Sequence, residues 1–156
     1  KDLKDNNINF SLTIAGYGSE TQSLIRKTKE LGLSDVIEFT GRYNYQLLAK
    51  LLSKYDLFIS TSLSDAGLAS SIAEAMACQN IVIVSDSADN KSWITNCVNG
   101  FLFRTGSSES LYKSIISAID KKNIWDQISV NARKTILDRN DITNEMRKMY
   151  NLMELI

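Results

Sequence analysis

Short apolar runs alternate with amphipathic stretches along most of this chain. Residues 9–15 (NFSLTIA) read as a strand closed by Gly16 and Gly18. Residues 20–31 follow with Leu24, Ile25 and Leu31 spaced as on a helix. Gly32 ends that helix, residues 36–40 (VIEFT) form a second strand pattern, and 46–54 carry Leu47, Leu48, Leu51 and Leu52 on one helical face. The pattern repeats with a strand over 57–60 (LFIS), a helix over 70–78, and a continuously apolar strand over 81–84 (IVIV). Continuous apolar strands fit a parallel sheet covered on both faces. A short helix over 90–95, a strand over 100–103 (GFLF) and a helix over 109–119 complete the alternation; 123–156 carries helical spacing only. The polar start, KDLKDNN, resembles the tail of a preceding helix, as in a fragment of a longer protein. The expected fold is α/β, a doubly wound, Rossmann-like parallel sheet with helices on both faces, in a single domain over 1–156 with 123–156 as C-terminal helices.

In such folds ligands bind beyond the carboxyl ends of the strands, so four loops matter: 16–19, 41–45, 61–70 and 85–91. In the first, Gly16, Tyr17, Gly18 and Ser19 lie between strand and helix, where backbone N–H groups can face an anion; an ordinary tight turn is the alternative. In the second, Arg42 and Tyr43 stand at a strand end, able to stack on a base or to be plain surface residues. In the third, Gly67 permits close backbone approach, Leu68 and Ala69 follow it, and Ser70 and Ser71 open a helix whose unpaired N–H groups favour phosphate; serine capping is the alternative. Glu74 lies four residues after Ser70 on the same helical face, among Ile72, Ala73, Ala75, Met76 and Ala77. A carboxylate there needs hydrogen-bond donors, which either a ribose diol or a neighbouring cation or amide would supply. No Gly-Lys-Ser or Gly-Lys-Thr follows, so this is not the triphosphate loop that uses a lysine and magnesium.

Composition narrows the chemistry. Acidic and basic residues number 18 each, giving no net charge across 156 residues, which argues against a nucleic-acid binder. No histidine occurs, so Ser-His-Asp chemistry is excluded and proton transfer would fall to carboxylates, lysine or tyrosine. Cys78 and Cys97 are too far apart for a metal-binding CxxC, no metal-ligand cluster is legible, and both read as small core residues. No membrane span or signal peptide is visible, so a cytoplasmic location is expected.

Several segments resemble, in order and spacing, the C-terminal domain of family 4 glycosyltransferases, retaining enzymes of GT-B fold with two facing Rossmann-like domains. EAMAC at 74–78 is the strongest match, supported by LTIAGYGSE, VIEFTGRYNYQLLAKLLSKYDLFIS, IVIVSD, the Trp93-Ile94 pair and NGFLF. The resemblance implies a donor-binding half-enzyme. Glu74 would hold the ribose of a UDP- or GDP-sugar and residues 65–71 would contact diphosphate and sugar, with no cofactor beyond that donor. The first strand, a basic pair that neutralises the diphosphate, and an N-terminal domain for a glycan or lipid-linked acceptor would precede Lys1. Through that domain the protein would sit at the inner face of the membrane. Polysaccharide biosynthesis is the implied setting.

The chain also departs from the family pattern. Ala66 stands where the family has its first acidic residue, eight positions before the second, and Asp65 is the neighbouring candidate to orient the sugar. Ser87, Ala88, Asp89, Asn90 and Lys91 replace a Gly-Gly or Pro-Gly pair, and proline is absent altogether. Two other readings therefore stand beside the transferase: a sugar-nucleotide epimerase or hydrolase of the same fold, and a non-catalytic α/β module that contacts proteins.

Overall fold

Every described strand is parallel to its neighbour, which forces the chain to cross over between strands through helices. The computed structural model describes residues 1–42, 44, 48–63 and 67–153. They fall into two compact units, Lys1–Leu48 and Ala49–Ile156.

In the first unit, a short helix α1 (Asp2–Asp5) leads to β1 (Leu12–Ala15), α2 (Thr21–Glu30) and β2 (Ile37–Gly41). β1 and β2 pair with Leu12 beside Ile37, and the register slips between Ile14 and Ala15, so that Ala15 meets Gly41. The Lys4 ammonium ties α1 to the α2–β2 turn through Asp35 (2.7 Å) and the Gly32 carbonyl (2.9 Å). β1 is shorter than the expected 9–15, because only Leu12 onward finds a ladder partner.

The second unit starts within α3 (Leu48–Leu52), which bridges the boundary, and continues through β3 (Leu57–Ser60), α4 (Ser70–Ala77), β4 (Ile81–Ser85), α5 (Asn90–Trp93) and β5 (Phe101–Phe103) to α6 (Ser108–Asp120), α7 (Trp125–Asn140) and α8 (Ile142–Met153). Its sheet runs in the order β3-β4-β5. α4 and α7 pack on each other and on β4, while α6 packs on β4 and β5. All five residues of β4 are buried, as the unbroken apolar run predicts. Helices on both sides of parallel sheets are the arrangement expected from the alternation.

Three local devices fix this frame. At the end of α4, the amide of Asn80 bonds to the Ala75 carbonyl (3.0 Å) and that of Gln79 to Met76 (3.1 Å), a Schellman turn with Gln79 at φ +64°. The buried Asn80 side chain then donates to the carbonyls of Leu52 and Tyr55 at the end of α3. Gly100 has no room for a side chain: a Cβ would lie 2.7 Å from Val82 Cγ2 and 3.1 Å from the Val82 carbonyl. Two expectations need correction. The helix expected over 90–95 stops at Trp93, where Ile94 turns to extended backbone. Cys78 and Cys97 are half-exposed free thiols rather than core residues, since Cys78 follows the outer face of α4 and Cys97 occupies a left-handed turn at φ +63°.

Candidate functional site: the start of helix α4

Helix α4 has one buried face and one open one. Ile72, Ala75 and Met76 are fully buried and Ala73 nearly so, at turns of about 100° per residue that leave Ser70, Ser71, Glu74, Ala77 and Cys78 together on the other side. Glu74 is therefore half-exposed, and this corrects the expectation that apolar neighbours enclose its carboxylate: they face the core while it faces out. No described residue donates a hydrogen bond to that carboxylate or forms an ion pair with it, so the pairing alternative finds no partner among the described residues.

Above Glu74 the helix start is open as well. Ala69, not a serine, is the N-cap, and no side chain caps the helix. The amides of Ile72 and Ala73 bond back to the Ala69 carbonyl at 3.0 and 3.1 Å, while those of Ser70 and Ser71 have no partner among the described residues. Gly67 sits at φ +79°, a left-handed conformation that an L side chain resists, with open space where a Cβ would point. The chain from Gly67 through Leu68 and Ala69 thus delivers free donors at the positive end of the helix dipole, one turn from an unpartnered carboxylate. Arg133 of α7 donates to the Ala77 carbonyl (2.8 Å), placing a cation at the opposite, negative end.

In the first unit the picture differs. Gly16 lies at φ +131°, and its amide is bonded to the Gly41 carbonyl (2.7 Å), which sets the glycine turn beside the end of β2 and Arg42. The Gly18 amide is taken by Thr21 Oγ1 (3.0 Å). Two of the amides expected to face an anion are therefore occupied, one by β2 and one by the start of α2. Arg42 is exposed, and its guanidinium has no partner among the described residues. Tyr43 and Asp65 lie outside the described residues.

Sequence reading passed over Asp86, noted only as part of a landmark. Its carboxylate accepts from the Thr105 amide (2.8 Å) and hydroxyl (2.9 Å) and pairs with Lys91 (3.1 Å). The Thr105 amide first, then its hydroxyl, then Lys91 hold this carboxyl down to about 2. Asp86 thus ties the loop after β4 to the end of β5. A shallow groove elsewhere, between Trp93, Asn99 and α7, has Arg139 stacked 4.0 Å over the Trp93 ring and shares no residue with the α4 stripe. Among the described residues, no group of three or more Asp, Glu, Cys or His side chains is placed to hold a metal, and no helix is long and apolar enough to cross a membrane.

The family model for glycosyl transferases group 1 matches residues 1–135. The chain belongs to that family. An uncharacterized glycosyltransferase of Methanocaldococcus jannaschii is 26% identical over 154 residues, covering 99% of this chain and 38% of its own length. Anabaena HepE, solved in complex with UDP, superposes with a TM-score of 0.82 at 23% identity over 94% of this chain and 41% of its own. The C-terminal domain of the group 1 glycosyltransferase LpcC from Francisella tularensis gives 0.75 at 21% identity over 90% of this chain and 74% of that domain. These likenesses establish the fold of a glycosyltransferase domain. The chain spans about two-fifths of the length of the first two relatives.

Proposed function

We propose that this glycosyltransferase domain is the donor-binding half of a retaining family 4 enzyme, which moves a sugar from a nucleoside diphosphate to a glycan or lipid-linked acceptor held by another domain. The observation that carries the reading is the open stripe of α4: the amides of Ser70 and Ser71, and Glu74 one turn below, have no partner among the described residues. The amides suit a diphosphate and the carboxylate suits a ribose diol, at a spacing set by one helical turn of about 5.4 Å. UDP is favoured over GDP because HepE was solved with UDP and with UDP-glucose.

In this reading the domain works by positioning and electrostatics. Donors near Gly67–Ser71 stabilise negative charge as it develops on the departing diphosphate, Glu74 fixes the ribose, Arg42 and Tyr43 contact the base, and Asp65 orients the sugar. No metal or further cofactor is assigned a role. The domain alone binds donor without turning it over.

Titrating UDP, GDP and ADP separates these bases, with tightest binding expected for UDP. Product analysis then separates the enzyme classes: transfer with retained anomeric configuration supports the proposal, while free sugar or an epimerised nucleotide sugar supports the hydrolase or epimerase. Failure of all three nucleotides to bind favours the protein-contact module.

A further inference from the structure

β4 ends at Ser85, and the side chains of Ser85 and of the next two residues, Asp86 and Ser87, reach the segments just beyond both flanking strands. Ser85 Oγ, on a residue 1% exposed, donates to the Ser62 carbonyl at 2.6 Å. Ser87 Oγ donates to the same carbonyl at 3.1 Å, and the two hydroxyls lie 2.9 Å apart. With one proton per hydroxyl, two of these three contacts are hydrogen bonds at any moment, and the Ser62 carbonyl can use both of its lone pairs. Asp86 reaches the other way, to Thr105 beyond β5. The carboxyl ends of β3, β4 and β5 are thereby laced side by side.

Ser62 stands two residues beyond β3, on the segment that runs to Gly67 and the start of α4. Its carbonyl is gripped from a different strand, 23 and 25 residues away in the chain. Of the two hydroxyls, that of Ser85 is sealed in the core, whereas Ser87 is half-exposed and stands in the loop that departs from the family's glycine pattern. We propose that Ser87 is a positioning residue for donor binding: its hydroxyl holds Ser62, and with it the approach to Gly67 and the α4 amides, in binding geometry. The role rests on the reading of the α4 stripe as a diphosphate site.

The test compares Ser87→Ala and Ser87→Thr with the unaltered protein, by amide hydrogen exchange without ligand and by UDP affinity. Losing one neutral hydrogen bond should speed exchange across 61–63 and 67–69 and weaken UDP by roughly fivefold each in Ser87→Ala. Ser87→Thr, which keeps the hydroxyl, should restore both, and the thermal midpoint of Ser87→Ala should fall by only a few degrees, as for the loss of one neutral hydrogen bond. Unaltered exchange and unaltered UDP affinity in Ser87→Ala overturn the proposal, and so does a lowered thermal midpoint with full affinity, because the hydroxyl then serves only the fold. If the unaltered protein binds neither UDP nor GDP, the donor reading itself falls and takes the role of Ser87 with it.

Discussion

Each unit places a glycine-bearing turn at the end of a parallel strand, yet the two turns spend their amides differently. In Lys1–Leu48 the amides of Gly16 and Gly18 are bonded to Gly41 and Thr21. In Ala49–Ile156 the amides of Ser70 and Ser71, just past Gly67, have no described partner. The burial behind the turns differs too. Thr28 and Leu33 are the buried residues described in the first unit, whereas α4 and β4 in the second are backed by Ile72, Ala75, Met76 and an entirely buried strand. A glycine beside a strand end is therefore poor evidence of a ligand site. Free donors on a rigid, well-packed helix are better evidence, because packing on one face holds the other face open in a fixed shape.

The largest effect expected from this contrast is in packing. Ile72→Ala should cost about 3–4 kcal/mol in chemical denaturation and Ile14→Ala, on half-buried β1, about 1 kcal/mol. Equal losses would erase the distinction between the units. Gly100→Ala comes next, at roughly 2 kcal/mol, because its Cβ would meet Val82 backbone and side chain that cannot withdraw.

Acid should act on the second unit through Asp86. Its folded carboxyl lies at about 2 against an ordinary 3.8, so the stabilisation it brings is complete above about pH 4 and is lost as pH falls toward about 2. In Asp86→Asn that part of the acid sensitivity should vanish from pH-dependent unfolding curves; an unchanged profile would show that Asp86 is not the group responsible. Smallest is Ala88→Gly. Ala88 is held at φ +47°, and glycine there should raise stability by up to about 1 kcal/mol in thermal unfolding; no gain would show that this turn carries no strain.

Much of the frame could be read from local pattern. The unbroken IVIV run predicts buried β4, and the alternation predicts parallel sheets, because burial and crossover leave a periodic trace in adjacent residues. The stripe of Ser70, Ser71 and Glu74 also follows from helical spacing, although the enclosure of Glu74 does not: sequence neighbours on a helix point away from one another, so apolar residues beside Glu74 in the chain are not around it in space. Contacts across distant segments left no such trace. The grip of Ser85 and Ser87 on Ser62, Asn80 on Leu52 and Tyr55, and Arg133 on Ala77 join residues 23 to 56 positions apart. They depend on crossover geometry rather than on any motif. Ser87 read as a departure from the family's pattern, and only the fold brings its hydroxyl to the Ser62 carbonyl.

Glu74 provides the most direct test. UDP titrated into the protein and into Glu74→Ala, followed by amide NMR shifts and a thermal melt, should give saturable shifts centred on Gly67–Ser71 in the unaltered protein. The account predicts at least a tenfold loss of affinity in Glu74→Ala, about 1.4 kcal/mol or more, with the melting midpoint retained because the carboxylate has no partner among the described residues. Undiminished affinity in Glu74→Ala, or shifts that leave Gly67–Ser71 untouched, would contradict it.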